Sequence, residues 1–279
     1  MQRVIQGRNG TISTSFADSD PIPKTATVTV TNDAGTKLVD AQAATSDDKG
    51  GFTYALTPTQ TESLDRLTAV WTAGSETQTT YCDVAGGFLA SLDDISASLP
   101  TSVNPSDDEL VAKRTLAEEA LEDACYVSFV PRFRRQVLDC PALERGRMRN
   151  LREVKVNGSA LTTTANVRVV DQRSIPMRQF FTDFYGGSVQ SLPSNLTPQI
   201  VEVAYEHGWD EPPPLVSRAV ESLARFFLTP NPSDYDQRAT SISTDEAHYS
   251  LITPGVGGAI FALPEVNAVV ERYGLGPGS

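Results

Sequence analysis

Two histidines, His207 and His248, are all the imidazole this chain of 279 residues has to offer for proton transfer or metal ligation. His207 lies in Tyr205-Glu206-His207-Gly208-Trp209-Asp210, with no nucleophile near it in sequence, so a structural place at a strand-to-helix corner is expected rather than a catalytic one. Three cysteines, Cys82, Cys125 and Cys140, form no CxxC pair and read as small buried apolar side chains. The paired acids Asp47-Asp48, Asp93-Asp94 and Asp107-Asp108 fall in turns and first helical turns, where solvation and capping account for them. Around Gly50 the acids do not alternate as a calcium loop requires, and Lys49 is unfavourable there. No phosphate-cradling glycine loop and no GxSxG elbow is present; Gly255-Val256-Gly257-Gly258 lacks the lysine and reads as a turn. An enzyme is therefore not expected, and neither a cofactor nor a metal is called for.

One charge cluster stands out. Between residues 126 and 155, Arg132, Arg134, Arg135, Arg145, Arg147, Arg149, Arg152 and Lys155 face only Asp139, Glu144 and Glu153, an excess of five positive charges in a chain of net charge −12. A solvated mixed surface, a contact with a partner or neighbouring subunit, and contact with a DNA backbone are all compatible with it. The overall acidity disfavours general nucleic-acid binding, yet an acidic wall can surround a duplex and leave it free to slide.

The elements that must hold these residues divide the chain. Residues 1–85 alternate apolar and polar side chains with the period of half-buried strands, clearest in Thr25-Ala26-Thr27-Val28-Thr29-Val30-Thr31. Turns at Asn32–Gly35 and Asp47–Gly51 separate Thr36–Asp40 and Phe52–Leu56, and strands over Leu67–Gly74 and Gln78–Val84 complete the run. Strands so spaced predict a small immunoglobulin-like β-sandwich with Trp71 in its core. Ala85-Gly86-Gly87 reads as a hinge.

Beyond it, helices are expected. Leu92–Ile95 opens a short one that ends before Pro100. Ser106 is an N-cap with Glu109 three residues on, starting a longer helix. Its apolar stripe is Leu110, Ala117, Leu121 and Ala124, widened by Leu116 and Ala120, and its polar side carries Lys113, Arg114, Glu118, Glu119 and Glu122. Strands follow at Tyr126–Val130, with Val137-Leu138 as a continuation, then at Leu151–Val156 before the hairpin turn Asn157-Gly158, at Val167–Val170 and at Ile200–Tyr205. The intervening residues 171–198 contain Phe180, Phe181, Phe184 and Tyr185, which suit a satellite core or a binding face. Pro212-Pro213-Pro214 precedes a helix over about 215–228, and Pro264 seeds another to Tyr273. The fold class is α+β: a sandwich over 1–85, a mainly helical core with small β elements over 86–239, and an extended arm with a terminal helix over 240–279. No run of apolar residues is long enough to span a membrane. The opening residues Met1–Ile5 lack a secretory apolar segment, so assembly in a cytosol is expected.

Three segments together resemble the head-to-tail adaptor (connector) proteins of long-tailed bacteriophages, particularly those of actinobacterial hosts. They are Leu92–Ile95 through Arg132-Phe133-Arg134-Arg135, containing Leu116-Ala117-Glu118-Glu119-Ala120-Leu121; Val201–Pro213 with the helix that follows; and Arg238–Asp245 with Leu263–Tyr273. The resemblance spans about residues 88–273 and leaves the N-terminal sandwich as an addition. It implies a non-enzymatic virion protein of the neck: a ring, usually of twelve copies, between the portal protein and a stopper or tail-completion protein, with double-stranded DNA passing through the lumen. It also implies that the C-terminal arm reaches the portal. Thr240, Ile242, Tyr249, Leu251 and Ile252 are then the arm residues that add a strand to a neighbour's sheet edge. Ring closure needs heterologous contacts, and pairing of Arg132, Arg134 and Arg135 with Glu118, Glu119 and Glu122 of the next copy is one expectation. The competing reading is a secreted or surface module whose sandwich binds carbohydrate or another ligand, which leaves the helical part unexplained.

Overall fold

The computed structural model describes residues 2–138, 143, 145–160, 201–229, 241–243, 248–250 and 260–275. The strands expected at Val167–Val170, the aromatics Phe180, Phe181, Phe184 and Tyr185, and Cys140 lie outside them. The fold is α+β, and the chain divides into two compact units, each assembled from two separated stretches.

The first unit takes in Met1–Phe88 and Val130–Asp210. Its N-terminal part is a β-sandwich. One sheet has the order β1 (Gln2–Ile5), β8 (Glu76–Ala85), β7 (Asp65–Ala73), β3 (Thr27–Thr31) and β4 (Lys37–Ala43). The other has the order β2 (Gly10–Ser15), β6 (Gly51–Leu56) and β5 (Thr45–Ser46). Pairing is antiparallel except where β1 runs parallel to β8, with Gln2 opposite Cys82. This division, with the second, sixth and fifth strands facing a sheet led by the last, seventh and third, is that of an immunoglobulin sandwich.

Alternation builds its core: Val28 and Val30 on β3 and Leu67, Ala69, Trp71 and Ala73 on β7 all point inward. Trp71 is wholly buried, and its Nε1 donates to Thr80 Oγ1 at 2.8 Å. Phe16 and Phe52 meet edge to face across the core. Turns close as their residues dictate. Asp47 Oδ1 accepts the N–H groups of Lys49 and Gly51, and these bonds hold its carboxyl below the ordinary range. Asp48 and Gly50 both take positive φ there.

The sandwich does not stand alone in this unit. A second sheet, ordered β11 (Ser159–Ala160), β10 (Met148–Val156), β12 (Val201–His207) and β9 (Arg132–Leu138), belongs with it and is antiparallel throughout. The division thus differs from the contiguous one expected, because strands 130–210 group with the sandwich rather than with the helices. Asn157-Gly158 forms the turn before β11, both residues at positive φ. Gly86 is small for a reason other than mobility. Its N–H donates to the Pro131 carbonyl, and a Cβ there would meet the Pro131 ring at 2.6 Å.

The second unit takes in Leu89–Phe129 and Glu211–Ser279. Helix α1 (Leu92–Ser98) starts at Ser91, whose hydroxyl accepts from Asp94 N, and α2 (Asp107–Cys125) starts at Ser106, which accepts from Glu109 N. Helices α3 (Pro214–Leu228) and α4 (Pro264–Tyr273) both begin at a proline. Their apolar faces meet in one core that includes Ile95, Leu121, Val216, Val220, Leu223 and Val266. Phe129 and Tyr273 pack edge to face, and the Cys125 carbonyl accepts from Leu275 N.

Two expectations for this unit are corrected. Tyr126–Val130 is not a strand. Tyr126 turns the chain out of α2 at φ 54°, and the Phe129 N–H is taken by a side chain instead of a neighbouring strand. Nor are Arg114, Glu118 and Glu122 on the solvated side of α2: they lie four residues apart along a buried row, while Leu116 faces solvent, 47% exposed. Residues β13 (Ser241–Ser243) and β14 (His248–Ser250) pair with each other as a short antiparallel hairpin.

Candidate functional site

The arginine-rich segment becomes two kinds of structure. Strand β9 puts Arg135 on the same face as Glu202 and Ala204 of β12, and on that face the guanidinium meets three carboxylates. Nε binds Asp33 in the β3–β4 turn of the sandwich, and Nη1 lies 2.8 Å from Glu153 and 3.4 Å from Glu202. Burial alone would lower the Arg135 pKa; the hydrogen bonds to Asp33 and Glu153 more than reverse it, so the charge is fixed. In return Arg135, with help from Lys155, holds the Glu153 carboxyl below its usual range. Alongside, Arg152 pairs with Glu206 at 2.6 Å and covers the Phe133 ring.

At the end of the same strand, Arg132 Nη1 stands 3.8 Å from Asp83 on β8, and Arg66 approaches the same carboxylate at 3.6 Å. Burial nevertheless raises the Asp83 pKa, the nearby arginines offsetting only part of the desolvation. Asp65 is likewise raised by burial. These contacts connect the second sheet to the sandwich through charge rather than through a shared apolar core.

The opposite face of the second sheet carries Arg132, Arg134 and Gln136 beside His207, Tyr205 and Val203. Tyr205 is wholly buried; its hydroxyl donates to Gln136 Oε1 and accepts from Arg145 N. His207 ends β12, buried, with its ring tilted against Tyr205 at 5.4 Å. Burial first, then the positive charges of Arg132, Arg134 and Arg145, push its pKa well below 6.5, so it is neutral. Arg147 lies flat over Trp209, 3.4 Å from the ring centre. Among the described residues, arginines and the Tyr205 ring surround this imidazole.

Glu118 and Glu122 are committed inside the second unit. Glu118 Oε1 accepts the Leu89 N–H at 2.8 Å and Glu122 Oε1 accepts the Phe129 N–H at 3.0 Å, so the two acids tie down the chain where it enters and leaves the α1–α2 segment. Among the residues expected to meet a neighbouring copy, Arg132, Arg135, Glu118 and Glu122 therefore have partners in their own chain. Glu119 is half-buried on α2 outside that buried row, and Arg134 is half-buried on β9. In the arm, Ile242 and Tyr249 are register partners across the β13–β14 hairpin. Thr240, Leu251 and Ile252 lie outside the described residues. Among the described residues, no three His, Cys, Asp or Glu side chains gather as a metal ion would need.

Comparison with known proteins adds little. No family model matches the chain. No curated protein matches it either. Among solved structures, the titin Ig tandem domains A164-A165 align at 11% identity over 74% of this chain and 78% of that one, with a TM-score of 0.23. A score so low does not equate the folds, and the sandwich assignment rests on strand order and core alone. The described helices give no long apolar segment able to cross a membrane.

Proposed function

We propose that this chain is a structural subunit of a bacteriophage neck, a head-to-tail adaptor whose copies ring the DNA channel between the portal protein and a stopper or tail-completion protein. The observation that carries the reading is the order and spacing of three segments, 92–135, 201–228 and 238–273, that resemble this family. In support, the four helices among the described residues fall within those segments and pack in one unit. The hairpin β13–β14 gives the arm residues Ile242 and Tyr249 an extended backbone, the form that strand addition to a sheet edge uses. The net charge of −12 suits a lumen through which DNA slides without being held. In this reading the protein is no enzyme, works in the virion, and is assembled in the host cytoplasm; the sandwich is an added outward module.

The test is electron microscopy of purified virions labelled with antibody to the chain, together with reconstruction of the neck. Density for a ring of this chain beneath the portal is the expected result. Label confined to the tail tip, or its absence from particles, ends the reading.

A further inference from the structure

Helices α2 and α3 pack through their apolar faces, which leaves each with an outward stripe. On α3 the outward residues are Leu215, Arg218, Ser222, Arg225 and Phe226, which fall within about a third of the helix circumference at the α-helical period. Leu215 and Phe226 are nearly half exposed. On α2 the outward stripe holds Asp108, Glu109, Ala112, Leu116, Glu119 and Asp123, with Leu116 in its middle. One stripe is basic around two large apolar side chains, and the other is acidic around one. Ser222 and Glu119 within the stripes, and Glu221 and Lys113 beside them, are half-buried.

We infer that copies of this chain join by seating the Arg218, Arg225 and Phe226 stripe of α3 against the Leu116, Glu119 and Asp123 stripe of α2 in the next copy. The occupant is a second copy because each stripe finds its complement of charge and apolar surface on the same molecule. The two stripes are different patches of one molecule, so the contact is heterologous and propagates from copy to copy, as a closing ring demands. A contact of one helix on one helix is at the small end of stable interfaces, below about 1,200 Å² in total. Association in solution is thus weak and salt-sensitive, and ring closure strengthens it by giving every copy two contacts. The inference rests on the ring-forming reading, but its surface is tested separately.

The experiment is sedimentation of the full chain from about 10 µM to about 1 mM, at low and high salt. Self-association that weakens with salt is expected. Arg218→Glu with Arg225→Glu should weaken it at least tenfold, and so should Glu119→Arg with Asp123→Arg. Mixing the two double variants should restore association as an alternating assembly, because each then offers the stripe the other lacks. Parent association that neither reversal alters overturns this surface and leaves the ring reading standing. A parent that stays monomeric throughout overturns the inference, and the virion reconstruction then decides the ring reading on its own. Unchanged urea midpoints for both double variants guard against misfolding.

Discussion

The Arg135 guanidinium on β9 binds Asp33 in the β3–β4 turn, a carboxylate 102 residues earlier in the chain. Glu153 and Glu202 crowd the same guanidinium, so one cation serves three acids. Removing it leaves three carboxylates together, with Lys155 on Glu153 to offset only part of their repulsion.

Arg135→Ala should therefore destabilise the first unit by about 2–4 kcal/mol, the range for stripping one partner from a partly buried ionic group. Asp33→Asn should cost less, because Glu153 and Glu202 keep the guanidinium paired. Arg135→Lys should fall between them, since an ammonium lacks the planar fork. Urea unfolding of the full chain measures all three; an Arg135→Ala midpoint equal to the parent's would refute the network's importance.

His207 gives the stability a pH dependence of known sign. Its folded pKa is depressed, so below about 6.5 the unfolded chain takes up a proton that the folded chain refuses. Its contribution is complete above the unfolded pKa and is lost as pH falls toward the folded value. Replacing it by Phe, which can keep the ring packed on Tyr205, should flatten the thermal midpoint between about pH 7 and pH 5. The steepness of the parent minus that of the variant is the quantity to read.

Asp65 acts with the opposite sign, because burial raises its folded pKa. The folded state holds that proton more tightly, so this group favours folding as pH falls toward its unfolded value. Glu153, lowered by Arg135, contributes above its unfolded pKa and loses that contribution as pH falls through its folded pKa. Asp65→Asn should remove the first effect and Glu153→Gln the second, in pH titrations of the same thermal midpoint. Identical pH profiles for parent and variants would contradict the assignment.

Glu118 and Glu122 each accept a backbone N–H from the chain beside α2. Glu118→Gln and Glu122→Gln keep a carbonyl oxygen in place and should cost less than the alanines, each of which leaves a buried N–H unsatisfied at about 1–3 kcal/mol. Hydrogen exchange at Leu89 and Phe129 reads the lost bonds directly: faster exchange is expected in the alanine variants alone.

Much of the local structure was legible because its causes are local. Ser106 with Glu109, Pro214 and Pro264 marked helix starts, and the alternation through Val28, Val30 and Trp71 marked the sandwich core. Strands β1 and β2 were not foreseen: β1 has only four residues and gains its place by parallel pairing with β8, eighty residues on. The Tyr126–Val130 error has the same origin, since the Phe129 N–H is claimed by Glu122 and sequence alternation cannot reveal that acceptor. The buried row Arg114, Glu118 and Glu122 was read as solvated because charge at helical spacing is usually that. Arg135 stands out in the sequence by its charge, but Asp33, its partner, sits in a turn whose residues advertise only a turn.

Because the first unit is interrupted between Phe88 and Val130, the sandwich is no detachable bead. A gene fragment ending near residue 88 would sever Asp33 from Arg135 and Asp83 from Arg132, leaving Asp83 paired with Arg66, and would leave Gly86 without the proline it is shaped to meet. A transplanted sandwich that keeps these contacts therefore has to carry the strands after Val130 with it.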